Sequence, residues 1–565
     1  MMKFSEYHYE RPEIKNFELK FKEQLNSFTS ASSYEEQDLA MTGINELRTG
    51  FITMQSIVYI RHTMNTNDEY YKTEKNYFDE VIPYFEEFNN EYYRALVGSK
   101  YRMDLEKKWG RQLFQLAELS LKTFSPEIIE DLQLENKLQT EYLQLIASAK
   151  ILFEGEERTI AQILPFAEAK DRDVRKRAEE ARTGFMADNE EEFDRIYDDL
   201  VKVRTKIAQK LGYSNFIEVG YARMLRTDYN AAMVANFRDQ VHQYIVPVIA
   251  KLKERQRNRI GVDQFLYYDE NFSFKSGNAV PKGDPDWIVA NGAKMYAELS
   301  EETNEFFSFM QNHELMDLES KQGKQFGGYC TFLFEQGAPF IFSNFNGTSA
   351  DIDVLTHEAG HAFQAYESRN FQVPEYLFPS SDAAEIHSMS MEFFTWPWME
   401  LFFKEDADKY RFKHLASALT FIPYGVSVDE FQHFVYANPD ITPAERKKAW
   451  RDIEKKYIPT RNYAENDYLE QGAFWHKQSH IFTAPFYYID YTLAQICAFQ
   501  FWKKMHEDHT AAWAQYLHLC RQGGSLSFTE LVKEAGLISP FEDGCVRSVI
   551  GSIESWLDCV DDTAL

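Results

Sequence analysis

The sequence has few cysteines, no long apolar run and no apolar segment at its start, and each of these shortages excludes a class of protein. Its 565 residues include five cysteines, an odd number with no Cys-x-x-Cys pair, which is typical of reduced thiols in a cytoplasmic protein. No apolar run approaches the roughly 20 residues that span a bilayer. The first residues, Met1 to Arg11, are polar and acidic and contain no apolar signal-peptide core. We therefore expect a cytoplasmic location and no membrane partner.

Positive charge is also scarce. Lysine and arginine number 61 against 89 aspartate and glutamate residues, so the net charge is −28. A nucleic-acid partner would need a basic surface to replace phosphate counterions, so we expect no nucleic acid to bind. Aromatic residues are abundant, with 46 Phe and 33 Tyr, which allows a large interior or an aromatic-lined cleft. The length predicts two or more subdomains.

Most of the chain has a helical pattern. From Ser33 to Phe124, apolar residues recur at steps of three and four and predict three amphipathic helices. Residues 33–36 have the form of a capping box that opens the first helix. Residues 150–164 break the pattern around Gly155 and predict a small hairpin. A candidate domain boundary, which the pattern marks only weakly, lies within residues 147–185.

A second break in the helical pattern predicts two strands, residues 327–334 and 339–345. Pro339 cannot donate to a strand ladder, so its place at a strand start predicts an edge position. An edge strand beside a hydrolytic centre could bind an extended peptide through main-chain hydrogen bonds. An aromatic hairpin that fills the core explains the same residues equally well.

The segment that follows contains the pattern His-Glu-x-x-His. His357 and His361 are four residues apart, so on a helix both imidazoles could reach one metal ion. Glu358 could deprotonate a water bound to that metal. Asp353 could accept the ring N–H that the metal does not use, or serve as a first-turn acid favoured by the helix dipole.

A catalytic zinc needs a third protein ligand. One class of zinc site places a histidine six residues after the motif, where this chain has Glu367, so that class is excluded. Glu385 and Glu392 are seven residues apart and therefore lie on one helix face. Glu385 also has capping-box spacing from Asp382, so it could instead close a helix N-terminus. Spacing does not choose between the two glutamates.

Polar aromatic residues concentrate between Trp475 and Tyr491. Peptide hydrolysis develops an oxyanion, which Tyr O–H or His N–H donors stabilise. Such a block also occurs as core or as the lining of a groove. His476 and His480 are four residues apart without a usefully placed glutamate, so we expect no second metal site.

These motifs together resemble the M3 family of zinc metallopeptidases, the group of oligoendopeptidase F, Pz-peptidase, thimet oligopeptidase and neurolysin. The matching blocks occur in family order and span about residues 150–560, with the N-terminal region less distinctive. They are Ala338 to Gly347, His357 to Phe363, Glu385 to Glu392 and His480 to Tyr491.

The resemblance implies a mainly α, neurolysin-like fold. Two helical subdomains would flank a deep substrate channel, with a small β-sheet beside the zinc site. The N-terminal helical region would cover residues 1–170, and the catalytic region residues 171–565. One zinc ion per chain is implied, although cobalt or manganese could replace it.

The resemblance also implies roles for the site residues. Glu385 would be the third zinc ligand, and Glu392 would contact one of the zinc ligands rather than the metal itself. His480, Tyr491 and, depending on the alignment across Tyr487-Tyr488, Tyr488 would hold the substrate and its transition state. The implied activity is that of an endopeptidase on short oligopeptides, through a zinc-bound water activated by the glutamate of the motif.

Two other functions fit the residues. A helical zinc carboxypeptidase would remove single C-terminal residues, and a peptide-binding protein would use its zinc only structurally. The motif glutamate and a three-ligand site argue against the second. The oligomeric state does not follow from the sequence.

Overall fold

The computed structural model describes residues 2–321, 323–325 and 327–565. Within them the chain is mainly α-helical with two small sheets, as predicted. The α-helices are α1 Ile14–Ser30, α2 Tyr34–Met64, α3 Glu69–Val97, α4 Arg102–Trp109, α5 Arg111–Thr123, α6 Ile129–Ala147, α7 Ile160–Ala167, α8 Arg172–Asp188, α9 Glu190–Lys210, α10 Phe216–Arg223, α11 Ala231–Tyr244, α12 Val246–Ile260, α13 Pro285–Leu299, α14 Glu301–Asn312, α15 Ala350–Glu367, α16 Ser381–Phe394, α17 Met399–Phe403, α18 Ala407–Ala437, α19 Pro443–Tyr457, α20 Asp467–Glu470, α21 Ser479–Thr483, α22 Tyr488–Glu507, α23 His509–Gln522, α24 Phe528–Glu534 and α25 Cys545–Cys559. The strands are β1 Ile151–Phe153, β2 Glu156–Arg158, β3 Met316–Glu319, β4 Tyr329–Leu333 and β5 Ala338–Phe345.

The chain forms two compact units, each built from three separate segments. The first unit comprises Met1–Lys122, Val280–Glu405 and Cys497–Leu537, and the second comprises Thr123–Ala279, Asp406–Ile496 and Ile538–Leu565. The predicted division at residue 170 is a division along the chain and stays a prediction. Across the described residues, no helix combines the length and the apolar character needed to cross a membrane.

The N-terminal helices of the first unit pack around an aromatic core. Phe51 of α2 stacks on Phe85 of α3 with ring centroids 4.4 Å apart. Ser33 caps α2 by accepting a hydrogen bond from the N–H of Glu36, so the predicted start of that helix is confirmed, but the Glu36 carboxylate accepts the N–H of Ser32 and the predicted capping box is only half formed. The predicted third helix is two helices, because Gly110 between α4 and α5 has a φ of 88°, which breaks the helical path.

In the second unit, the predicted hairpin is confirmed for residues 151–158, but its extension to residue 164 is wrong, because α7 begins at Ile160. Strands β1 and β2 pair antiparallel, and Phe153 is opposite Glu156. The turn residues Glu154 and Gly155 have φ values of 52° and 79°. A left-handed conformation at both turn positions is typical of a tight hairpin turn.

The first unit contains a three-stranded sheet in the order β3-β5-β4. Strand β4 pairs antiparallel with β5, and β3 pairs parallel with it. The predicted edge position of Pro339 is therefore wrong, because its strand is central. Pairing with β3 begins only at Ile341, opposite Met316, so the missing N–H of Pro339 lies before that ladder. The two edge strands of this sheet are β3 and β4.

Helices α15 and α16 lie unusually close together at Gly360. A Cβ atom at this position would lie 2.7 Å from the Cα of Ser388 and 2.8 Å from the carbonyl oxygen of His387. Helix α23 packs on the same pair, since the Tyr516 hydroxyl donates to that carbonyl at 2.9 Å. The absence of a side chain at Gly360 thus sets the distance between the two helices that carry the candidate site.

Candidate active site

Helix α15 positions the His-Glu-x-x-His residues as the sequence predicts. The rings of His357 and His361 are one helical turn apart, with centroids separated by 5.0 Å. Asp351 holds the start of the helix, because its carboxylate accepts the N–H groups of Asn346 and Gly347 at 2.9 and 2.8 Å. Asp353 lies in the first turn, where the helix dipole favours an acid.

Glu385 of α16 faces both histidines. Its Oε2 atom lies 3.3 Å from Nε2 of His357 and 3.6 Å from Nε2 of His361. In a tetrahedral zinc site with bonds of about 2.1 Å, ligand atoms are about 3.4 Å apart. Within the described part of the chain, these three residues are the one group whose ligand atoms converge in this way. Two imidazoles and a carboxylate are a donor set that suits zinc, so the residues fit the metal that the resemblance implies.

Glu392 binds the other side of the first histidine. Its Oε1 atom lies 2.7 Å from Nδ1 of His357, which leaves Nε2 directed at Glu385. This carboxylate–histidine arrangement fixes the tautomer and the ring orientation of a metal ligand. Ser388 orients Glu385 in turn, since its hydroxyl donates to Oε2 at 2.9 Å. The two glutamates that spacing could not separate thus occupy different positions around the histidines.

The electrostatics of the group favour a bound cation. Burial alone would lower the pKa of His357, yet Glu385 and Glu392 raise it well above its usual range. Burial would raise the pKa of Glu385, but His361 and His357 hold it well below its usual range. Glu385 therefore stabilises positive charge at the position where the histidine Nε2 atoms converge, and Glu392 does so on the opposite side of His357.

Glu358 lies beside the converging ligands and next to the small sheet. Burial raises its pKa, and the nearby His357 and His361 only partly offset that effect. A Cβ atom at Gly328 would lie 3.5 Å from Oε1 of Glu358. Because Gly328 immediately precedes β4, the start of the edge strand lies against the glutamate.

The predicted residues of the C-terminal block lie in the second unit, where they form one aromatic cluster. His480 contacts the rings of Tyr487, Tyr488 and Tyr491 at centroid distances of 5.5, 5.1 and 5.9 Å. Burial raises the pKa of Tyr488, so its phenol is a hydrogen-bond donor at neutral pH. His476 is different: it is buried and lies 3.2 Å from Asp194 and 2.9 Å from the Tyr468 hydroxyl, which indicates a structural role.

Sequence reasoning missed two supporting residues. Ser388 follows Glu385 by three residues, a spacing that brings side chains together on a helix. Gln478 precedes His480 by two residues, and its Nε2 atom lies 2.8 Å from Nδ1 of that histidine. The first could have been found from helical spacing, whereas nothing in the sequence signals the second.

The chain is similar to known peptidases in sequence and in structure. The profile of the peptidase M3 N-terminal domain matches residues 4–124, and that of peptidase family M3 matches residues 301–549. A structure of Pz-peptidase A with an inhibitor is 66% identical and has a TM-score of 0.94; the match covers 99% of this chain and 100% of that one. A protein assigned as oligoendopeptidase F is 64% identical with a TM-score of 0.95, and one from Bacillus anthracis is 58% identical with a TM-score of 0.90; each match covers both chains fully. No curated protein matches the chain.

The matched regions include the residues discussed above. Helices α15 and α16 and the tyrosine cluster all fall within the span of the M3 profile. The likeness also reaches to residue 4, further than the sequence blocks alone indicated. High identity over the full length of solved structures leaves one assignment: the chain belongs to peptidase family M3 and is a metalloendopeptidase.

Proposed function

We propose that the protein hydrolyses internal bonds of short oligopeptides with one zinc ion held by His357, His361 and Glu385. The observation that supports this proposal best is the convergence of the three ligand atoms, in which Oε2 of Glu385 lies 3.3 and 3.6 Å from the two histidine Nε2 atoms. When bound, zinc would polarise the scissile carbonyl and lower the pKa of a water toward about 7.

Glu358 is the proposed general base and acid. It would accept a proton from the attacking water and return it to the nitrogen of the leaving amine, a role that needs a carboxylate with a pKa near the working pH. The burial that raises its pKa supports this role. The hydrogen bond between Glu392 and Nδ1 of His357 would keep the ligand ring still during these transfers.

Strand β4 is the proposed binding edge for the peptide backbone. It is an edge of its sheet, and its first three residues are half-buried rather than covered. An extended peptide could therefore add to the sheet through main-chain hydrogen bonds, which recognise any sequence. The position of Gly328 beside Glu358 supports binding of the substrate at this edge.

His480 and Tyr491, with Tyr488, are proposed to hold the peptide and stabilise the oxyanion. The likeness to the M3 family carries this role. The hydrogen bond between Gln478 and His480 supports it, because a fixed imidazole is a better donor than a mobile one. Removal of one such donor typically costs about 10²–10³ in kcat.

We further propose that the protein acts in the cytoplasm on peptides rather than on nucleic acids. All five cysteines are thiols, which is typical of a reducing compartment. The net charge of −28 disfavours polyanionic partners.

The decisive experiment replaces Glu358 with glutamine. Glu358→Gln protein should keep its zinc, because the three ligands are intact, and lose peptide cleavage by about 10²–10⁴-fold, the usual contribution of a general base. Glu367→Gln is the matched control, since this glutamate lies at the end of the same helix and pairs with Arg521. That variant should cleave normally.

The assay combines an internally quenched peptide with mass spectrometry of the products. The wild-type protein should cut at internal bonds and lose activity when a chelator removes its metal. Full activity of Glu358→Gln would contradict the mechanism. Release of single C-terminal residues alone would contradict the endopeptidase proposal and favour a carboxypeptidase.

A further inference from the structure

The second unit contains a cavity formed by none of the proposed zinc ligands. Its volume is about 400 Å³, within the range of pockets that bind small ligands. Helices α8, α12 and α18 and the segment 461–477 form its walls. Aromatic rings contribute much of the surface, among them Phe274, Phe412, Phe421 and Phe474.

The charged residues of this cavity are mostly cationic. Two carboxylates line it, Glu179 and Glu270, against six cationic groups: Arg182, Lys253, Arg259, Lys413, Arg461 and Lys477. By formal count the lining residues therefore have four more positive than negative charges, in a chain whose net charge is −28. Like charges gathered in a concave site attract ligands of the opposite charge.

The arginines of the cavity already have acidic partners. Arg182 pairs with Glu179, Arg259 with Asp562, and Arg461 with Glu270. These pairs fix the arginines and neutralise most of their charge. They leave the lysines as the groups that a ligand could bind.

Lys253 and Lys477 form no ion pair with a carboxylate of the described residues. The ammonium of Lys253 donates to Oε1 of Gln256 at 3.2 Å, and that of Lys477 lies 3.7 Å from the ring centroid of Phe474. Lys253 is half-buried and burial lowers its pKa, whereas Lys477 is exposed. A bound carboxylate would favour the protonated form of Lys253, because it adds a negative charge beside the ammonium.

The cavity wall continues into the tyrosine cluster. The rings of Phe421 and Tyr424 lie 5.6 and 5.8 Å from that of Tyr488. The Tyr424 hydroxyl also donates to Oε1 of Gln478 at 2.9 Å, and Gln478 binds His480. Residues that line the cavity thus contact the residues that are proposed to hold the peptide.

We infer that this cavity binds a carboxylate of the oligopeptide substrate, with Lys477 and Lys253 as its cationic partners. The inference rests on the proposed function and names the substrate class: peptides that carry an acid at one position. The acid could be the C-terminal carboxylate or the side chain of an aspartate or glutamate. The aromatic walls would contact the apolar side chains next to it.

The test uses one quenched peptide in three forms of equal length: with a C-terminal acid and an internal glutamate, with a C-terminal amide and the glutamate, and with the acid and a glutamine. We expect the zinc-loaded wild-type enzyme to favour one charged form over its neutral counterpart by about tenfold in kcat/KM. A lower kcat/KM for the amide peptide would identify the C-terminal carboxylate as the ligand. A lower kcat/KM for the glutamine peptide would identify the glutamate side chain. Lys477→Met and Lys253→Met should each reduce that preference, whereas Lys477→Arg should retain it.

Lys251→Met is the matched control. Lys251 is on the same helix as Lys253 but is exposed and pairs with Glu554 on the surface, so the preference should persist. Equal kcat/KM for all three peptides, or a preference unchanged in both methionine variants, would overturn the inference while leaving the peptidase intact.

Binding to Glu358→Gln protein, followed by fluorescence anisotropy, separates this inference from the proposed function. If the wild-type enzyme cleaves none of the peptides, the proposed function fails. Tighter binding of a charged form, lost in Glu358→Gln/Lys477→Met, would still support the cavity. Equal binding of all forms would reject it.

Discussion

Replacement of Gly360 by alanine tests whether the close approach of α15 and α16 builds the metal site. The new Cβ would lie 2.7 Å from the Cα of Ser388 and 2.8 Å from a backbone oxygen. Ordinary carbon contacts are about 3.5–4.0 Å, so the helices would have to separate by roughly 1 Å. No flexible side chain can absorb that movement, because the two nearest atoms belong to the backbone of α16 and the third is the Cβ of Met391.

The expected cost can be worked from two opposing terms. Overpacking of a core typically costs about 1–3 kcal/mol, and alanine gains about 1 kcal/mol over glycine in a helix. We therefore expect Gly360→Ala to lower the free energy of unfolding of the metal-free protein by up to about 2 kcal/mol. Separation of the helices would also move Glu385 away from the histidines. Metal ligands tolerate errors of only about 0.2 Å, so zinc affinity should fall by about tenfold or more.

Gly184→Ala provides the control. Gly184 lies within α8 and has no atom within 4 Å of a Cβ built on it, so alanine there should stabilise the protein by about 0.5–1 kcal/mol. Urea unfolding of metal-free protein measures the first effect, and competition with a chelator measures the second. A Gly360→Ala protein with unchanged stability and unchanged zinc affinity would refute the reasoning.

Two other predictions concern single carboxylates. Glu385→Ala should abolish tight zinc binding, whereas Glu392→Gln should weaken it by about 10–100-fold, the usual effect of removing a ligand's partner; the opposite order in chelator competition would contradict the ligand assignment. Burial alone would raise the pKa of Asp429, but His433 and Arg238 lower it to about 2. This folded-state pKa lies below the unfolded value of about 3.9. The ion pair of Asp429 with Arg238 therefore stabilises the protein above about pH 4, and this stabilisation is lost as the pH falls toward 2. Asp429→Asn should therefore cost about 3–5 kcal/mol at pH 7 by urea unfolding and show less loss of stability below pH 4; equal stability of the two proteins at pH 7 would count against the pair.

Local patterns predicted the helices and the hairpin, but they did not predict every boundary or which strands pair with each other. Helical periodicity runs through residues 105–119, and only the backbone at Gly110 divides it. The strand with Pro339 is central because β3 pairs with its later residues. β3 has only four residues and comes from an earlier part of the chain, so neither its length nor its composition marks it as a neighbour.

The part of the candidate site that lies on a single helix could be predicted from the sequence. Spacing placed His357 and His361 together, because four residues make about one turn. Glu385 and Glu392 share a face, but seven residues separate them by about 10 Å along the axis. Their different partners depend on where α16 lies against α15, which is a property of packing rather than of spacing. Lys253 and Lys477 of the cavity are more than 200 residues apart in the chain, so no local pattern joins them.

The division of the first unit into three segments has a consequence for its synthesis. Its last segment, Cys497–Leu537, supplies α23, which packs on the two helices that carry the proposed zinc ligands. At about 5–20 residues per second, a ribosome adds the roughly 140 residues between α15 and α23 in several seconds or more. During that time the His-Glu-x-x-His helix has no α23 to bury its apolar face. We expect zinc capture, and with it proteolytic activity, to appear only after nearly the whole chain has been translated.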